Sequence, residues 1–226
     1  MLLEAKNLIK SYERRGNSFF AVDNVSLKAE SDSFICITGE SGSGKSTLLN
    51  ILTGLLSPDS GEIWLDGVNL CALKDEELTN LRNSKIGYIP QGNSLLYNFS
   101  VLDNVLLPWH LTHKKEKNDN IKEIARELLA KTGIGDLESE NPRNLSGGEA
   151  RRVAIARSLI TSPQILIADE PTADLDPKNT DEIIQLLEKV HNQSVLVIIA
   201  THDRQILPCA NHHFVMDNGQ LKVNLK

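Results

Sequence analysis

A chain of 226 residues with 40% apolar and 24% charged side chains has the composition of an ordinary globular protein, long enough for one large domain, which excludes disorder as its general state. A formal net charge of −6 argues against nucleic acid as a partner, since such surfaces normally carry a basic stripe. Cys36, Cys71 and Cys209 are odd in number and lack C-x-x-C spacing, a pattern of free thiols in a reducing compartment.

Met1 to Lys6 lack the basic flank and apolar core of a signal peptide. The longest apolar run, around Val195 to Ala200, falls well short of the roughly 18 residues of a membrane span. A cytoplasmic protein is expected, reaching the inner face of the cell membrane only through a partner. Leu2 to Leu8 and Phe20 to Ala29 alternate as antiparallel strands do, joined through the turn-like Arg14 to Ser18. Phe34 to Thr38 is a continuous apolar run, the pattern of a buried parallel strand. It ends at Gly39-Glu40-Ser41-Gly42-Ser43-Gly44-Lys45-Ser46, which fits the P-loop pattern G-x-x-x-x-G-K-S/T in full. A helix is predicted from Lys45 to about Leu55, closed by Gly54 and Pro58.

Ile86 to Ile89, Ile165 to Ala168 and Val195 to Ala200 read as further buried strands, each next to a helix-period segment. That alternation predicts an α/β fold with a parallel sheet and right-handed crossovers. Between about Asn93 and Leu145 the texture is helical, with Val101 to Leu107 and Ile121 to Lys131 as candidates, and reads as a helical subdomain inserted into the α/β core. Lys114 to Lys117 read as a solvated loop. His110 and His113 alone are too few for a metal site.

In the P-loop, Gly42 and Gly44 remove side-chain bulk so that backbone N–H groups can approach phosphate oxygens, and the following helix adds the positive end of its dipole. Lys45 is placed to neutralise β- and γ-phosphate oxygens, and the Ser46 hydroxyl to ligate Mg²⁺. The strand Ile165 to Ala168 runs into two adjacent carboxylates, Asp169 and Glu170. Asp169 is expected to orient Mg²⁺ and its waters, and Glu170 to position and deprotonate the attacking water. Ser146 and Glu149 satisfy the capping-box spacing S-x-x-E ahead of the periodic residues Val153, Ala154, Ala156, Leu159 and Ile160. Gly147 and Gly148 in that first turn cost roughly 1 kcal/mol each relative to Ala. Capping does not need them, whereas the close approach of a phosphate does.

These residues resemble the ATP-binding cassette family over essentially the whole chain. Gly39 to Ser46 is similar to its Walker A motif, Ile165 to Glu170 to its Walker B, and Leu145 to Glu149 to its signature. Gln91 resembles the Q-loop glutamine that senses Mg²⁺ and water, Ala173 to Asp176 the D-loop, and His202 the switch histidine that contacts the γ-phosphate. Tyr12 takes the place of the aromatic that stacks on adenine, with Phe19 and Phe20 as competitors. One departure is Ala150, where the family often has Gln, a change expected near the nucleotide ribose.

The resemblance implies one P-loop NTPase domain over residues 1–226, its mostly parallel core joined to an N-terminal antiparallel β subdomain and an α-helical insertion over about 93–160. It implies an ATPase that uses ATP and Mg²⁺. Tyr12, Gly39, Glu40, Ser41, Gly42, Ser43, Gly44, Lys45, Ser46, Thr47, Gln91, Ser146, Gly147, Gly148 and Asp176 would contact nucleotide. Ser46, Gln91 and Asp169 would hold the metal, and Glu170, His202 and Lys45 would carry the catalysis. In the family the signature of one subunit closes over nucleotide on the Walker A of another. A nucleotide-sandwiched homodimer, or a heterodimer with a similar ATPase, is therefore implied, together with a transmembrane permease as partner. Asn93 to Pro108 look most like the lipoprotein-release and macrolide-export branch. The alternative is a regulatory cassette that controls a membrane partner without transport. A soluble cassette acting on ribosomes or DNA would carry two cassettes or a coiled-coil insertion, and the sequence has neither.

Overall fold

A computed structural model describes residues 2–14, 16–112 and 120–223, so the Lys114 to Lys117 run and His113 lie outside the described residues. The chain passes through β1 (Leu2–Arg14), β2 (Asn17–Glu30), β3 (Phe34–Thr38), α1 (Lys45–Leu52), β4 (Ser60–Leu65), β5 (Val68–Asn69), α2 (Asp75–Lys85) and β6 (Ile86–Ile89). It continues through α3 (Val101–Thr112), α4 (Ile121–Lys131), α5 (Gly147–Leu159), β7 (Ile165–Asp169), α6 (Pro177–His191), β8 (Leu196–Ala200), β9 (His212–Asp217) and β10 (Gln220–Val223).

Two sheets form. The N-terminal one is antiparallel with strand order β2-β1-β4-β5. Its alternation puts Leu3 and Ala5 into the core, opposite Ala29 and Leu27 of β2 and Leu65 and Ile63 of β4. The register with β2 shifts between Ala5 and Leu8, where Asn7 takes a φ of 49°; this bulge turns Leu8 back inward. Both strands run further than the predicted Leu2 to Leu8 and Phe20 to Ala29, because the hairpin continues out to Arg14 and Asn17.

The second sheet has order β10-β9-β3-β8-β7-β6 and is parallel except for the β9–β10 hairpin. Every residue of β7 and β8 is buried, which is why these strands read as continuous apolar runs. Ile35, Ile37, Ile165, Ile167 and Ile198 face a core shared with α1 and the antiparallel sheet. Cys36, Leu166, Ala168, Val197 and Ile199 face the opposite way, into a core shared with α3, α4, α5 and α6. Each fully buried Ile or Leu contributes about 1.5–3 kcal/mol to this arrangement.

The helix after the P-loop stops at Leu52, earlier than the predicted Leu55, because Thr53 caps it and Gly54 turns away with a φ of 67°. The helical stretch after Asn93 has the predicted helices α3 and α4, is followed by the capping-box helix α5, and packs its apolar side on the same core as the sheet. Among the described residues no helix is long and apolar enough to cross a membrane.

Candidate active site

The P-loop leaves β3 at Thr38 and enters α1 at Lys45, with Gly39, Gly42 and Gly44 at φ values of 156°, 81° and 108°. A Cβ on Gly44 would lie 1.9 Å from the carbonyl oxygen of Ala21, and one on Gly39 would lie 2.3 Å from that of Met216. These two glycines are therefore demanded by the backbones of β2 and β9. Only Gly42, with nothing within 4 Å, keeps the purely open-sided role the sequence suggested. The first turn of α1 has no side-chain cap, so its N–H groups are left for an anion. Lys45 is buried beneath the loop, and its Nζ donates to the carbonyls of Gly39 and Glu40 at 2.7 and 2.9 Å.

Asp169 ends β7, 2% exposed, with its Oδ1 buried and without a hydrogen-bond partner. Burial pushes its carboxyl above the ordinary range and the Glu170 charge adds to this, while a hydrogen bond from Ser46 and the charges of Lys45 and Arg151 oppose it. A buried carboxylate oxygen lacking a proton donor, beside a serine hydroxyl, suits a hard divalent cation. Ser46, Asp169 and Gln91 offer only oxygen atoms of the kind Mg²⁺ prefers. Among the described residues no group of three or more His, Cys, Asp or Glu could form an all-protein cage.

Glu170 follows at a φ of 49°, its N–H donating to the Ala200 carbonyl at 2.8 Å. Its Oε2 accepts from the Thr201 hydroxyl at 2.9 Å and the His202 backbone N–H at 3.3 Å, and lies 3.0 Å from His202 Nδ1. Glu170, His202, Gln91, Lys45, Ser46 and Thr47 line one open cleft, together with Glu40, Ser41, Gly42 and Gly44. Tyr12 and Phe19 form its far wall, with ring centroids 6.1 Å apart; Phe20 is not part of the lining.

Ser146, Gly147, Gly148 and Asp176 do not line that cleft. Ser146 caps α5: its hydroxyl and N–H both donate to Glu149 Oε2 at 2.7 Å, which holds the Glu149 carboxyl below its usual range. Gly147 and Gly148 differ in their surroundings. A Cβ on Gly148 would meet Asn179 Oδ1 at 2.3 Å, so packing of α5 on α6 favours glycine there unless the Asn179 side chain moves. Gly147 is exposed, with only Leu175 Cδ2 near, at 3.6 Å, so no packing within the chain accounts for glycine there. Asp176 caps α6 through the Asn179 N–H at 3.1 Å, with Pro177 in the first turn. Ala150 lines a separate small cavity between Gly92 to Ser94 and Ala173 to Leu175, and is not part of the cleft lining.

Several residues that matter here were not singled out from the sequence. Arg151 and Arg157 reach from α5 to the carbonyls of Pro90 at 3.2 Å and Ser94 at 2.8 Å, gripping the loop of Gln91 from both sides. Their signal was arginine interleaved with the apolar residues Val153 to Ala156 that face the core. Thr172 donates to Asp203 Oδ2 at 2.9 Å, stitching the loop after β7 to the loop after β8.

A family model described as ABC transporter matches residues 22–173. The lipoprotein-releasing system ATP-binding protein LolD of Blochmanniella floridana is 39% identical, covering 99% of this chain and 94% of its own length. Its namesake in Buchnera aphidicola subsp. Schizaphis graminum is 40% identical, covering 98% and 96%. Among solved structures, a dimeric ATP-binding cassette in a post-hydrolysis state with ADP and phosphate gives a TM-score of 0.92 at 34% identity, covering 99% of this chain and 98% of that one. A dimeric bacterial ABC transporter cassette gives 0.91 at 34% identity, covering 97% and 96%. A matching P-loop, paired carboxylates and near-complete coverage by such relatives lead to one statement: this chain belongs to the ABC transporter family, as an ATPase subunit that binds ATP with Mg²⁺ and works with transmembrane partners.

Proposed function

We propose that this chain powers a lipoprotein-releasing permease from the cytoplasmic face of the membrane, and that two copies close head to tail to do so. The partner assignment rests on full-length similarity to two LolD proteins. The observation that carries the mechanism is the pairing of an orphaned buried Asp169 oxygen with a restrained Glu170 beside the P-loop.

In this reading residues 1–226 are one ATPase domain, with residues 93–160 as its helical subdomain. Tyr12 offers its ring face to the adenine. The N–H groups of Gly39 to Thr47, with Glu40, Ser41 and Ser43 among them, receive the phosphates, and Lys45 offsets their charge. Ser46, Asp169 and Gln91 hold Mg²⁺, which supplies charge neutralisation at the phosphates. Glu170 orients the attacking water and takes its proton, while His202 reaches from Glu170 toward the γ-phosphate. Ser146 and Gly147 are exposed on their own subunit and, with the N–H of the buried Gly148 behind them, meet the phosphates held by the partner's P-loop, with Asp176 at the same junction. A single subunit is then catalytically incomplete.

The test is Glu170→Gln in the purified chain. Turnover should fall about 100-fold or more, the range for loss of a general base. ATP should also trap a dimer by size-exclusion chromatography. Unchanged turnover, or no trapped dimer, overturns the mechanism. Co-purification of the tagged chain with a membrane protein that binds lipoprotein tests the partner.

A further inference from the structure

We propose that Thr201 is a positioning residue for Glu170, fixing which carboxylate oxygen receives the proton of the attacking water. The inference rests on Glu170 being the base.

Thr201 is fully buried at the end of β8. Its N–H donates to the Ile37 carbonyl at 3.0 Å, which ties it to β3, the strand that feeds the P-loop. Its hydroxyl accepts from the Asp203 N–H at 3.0 Å. A hydroxyl has one proton to give, and with a backbone donor already on its oxygen that proton points to Glu170 Oε2, at 2.9 Å. The Asp203 side chain is itself fixed by Thr172 and by the Gln205 N–H at 2.9 Å, so the loop bearing this acceptor is pinned from two sides.

Every hydrogen bond given to the Glu170 carboxylate by the loop after β8 goes to Oε2. One comes from Thr201 and one from the His202 backbone, and the His202 ring lies close to the same oxygen. Oε1 is left for water. As the water oxygen bonds to the γ-phosphorus and the bond to the ADP oxygen breaks, the released proton passes to Oε1. The His202 side chain is 71% exposed and free to turn toward phosphate. Thr201 has no such freedom, so its 2.9 Å bond, shorter than the 3.3 Å bond from the His202 backbone, is the side-chain contact that keeps the carboxylate aimed when the ring turns away.

Thr201→Val preserves shape and burial while removing the hydroxyl. Mg²⁺-dependent ATP turnover of the full chain should then show kcat reduced about tenfold or more with KM within about twofold, since a transition-state contact is lost and nucleotide binding is not. Thr201→Ser restores the donor and should bring kcat back to within about threefold of the parent. In a Glu170→Gln background, Thr201→Val should cause no further loss in single-turnover measurements, because residues acting as a unit are non-additive. If the valine variant melts early, Thr201→Ala provides the same kcat and KM comparison. Turnover within twofold of the parent for Thr201→Val, failure of serine to rescue, or an equal loss in the Glu170→Gln background would each overturn the proposal. Unchanged turnover in Glu170→Gln alone removes the base itself, and this inference with it.

Discussion

Gly148→Ala tests whether this glycine is present for packing within the chain. The new methyl group would sit 2.3 Å from Asn179 Oδ1 and 2.7 Å from its Cγ. A shift of the Asn179 side chain strains its bonds to Arg152 and to Asp176. Two such bonds are worth about 1 kcal/mol each, and residual overpacking adds about 1–3 kcal/mol. Against this, alanine returns about 1 kcal/mol of helix propensity. The net is a destabilisation of about 2–4 kcal/mol, a fall in Tm of about 5–15 °C for a chain of this size. Gly147→Ala is the control: its methyl group meets only Leu175 at 3.6 Å, so the variant should melt at or slightly above the parent temperature. Both melts are read by circular dichroism on the chain without nucleotide. The reasoning is refuted if Gly148→Ala melts with the parent, or if adding Asn179→Ala to it relieves none of the loss.

Asp59 accepts from Lys10 Nζ and from the Ser11 N–H and hydroxyl, and these bonds, Lys10 first, hold its carboxyl down to about 2 from 3.8. A depressed folded-state value gives stability that is complete above about pH 4 and lost as the pH falls toward 2, so the Tm difference between parent and Asp59→Asn should shrink across that window. Burial is the first cause pushing the Cys36 and Cys209 thiols up to about 12, whereas Cys71 is exposed. Iodoacetamide at pH 8 should mark Cys71 in the folded chain and spare Cys36, as read by mass spectrometry; equal labelling would contradict the buried placement. Asn104 is fully buried, accepting from the Leu96 N–H at 2.8 Å and donating to the carbonyls of Leu96 and Ser100 at 3.0 and 2.9 Å. Asn104→Leu strands these groups at a cost of about 3 kcal/mol, and limited proteolysis should then cut near residues 96–100 where the parent resists.

What the sequence made legible was local. The central strands announced themselves because both of their faces are buried, and the P-loop because its spacing is short and contiguous. β9 did not: His212 and His213 open it, and it is a strand because Ile35 and Cys36 of β3 lie beside them in register. α2 has no fully buried residue; Leu78 and Leu81 pack half-buried on the core, and three acidic residues in its first turn and a Lys74 N–H bonded to Glu77 support its start. The demand for glycine at 44 comes from Ala21, and at 148 from Asn179; neither partner is close enough in sequence to betray the contact. The grip on Glu170 joins two loops 31 positions apart, which no motif spacing encodes.

The strand order carries a consequence for synthesis. β8 lies between β3 and β7, pairing Phe34 with Val197 on one side and Ile165 with Leu196 on the other. A chain emerging from the ribosome thus completes its P-loop and both carboxylates while the central slot of the sheet is still open. Such long-range parallel pairing is slow to form. It also means that the segment which closes the sheet is the one that delivers Thr201 and His202 to Glu170. The grip on Glu170 therefore forms only when the last central slot of the sheet is filled.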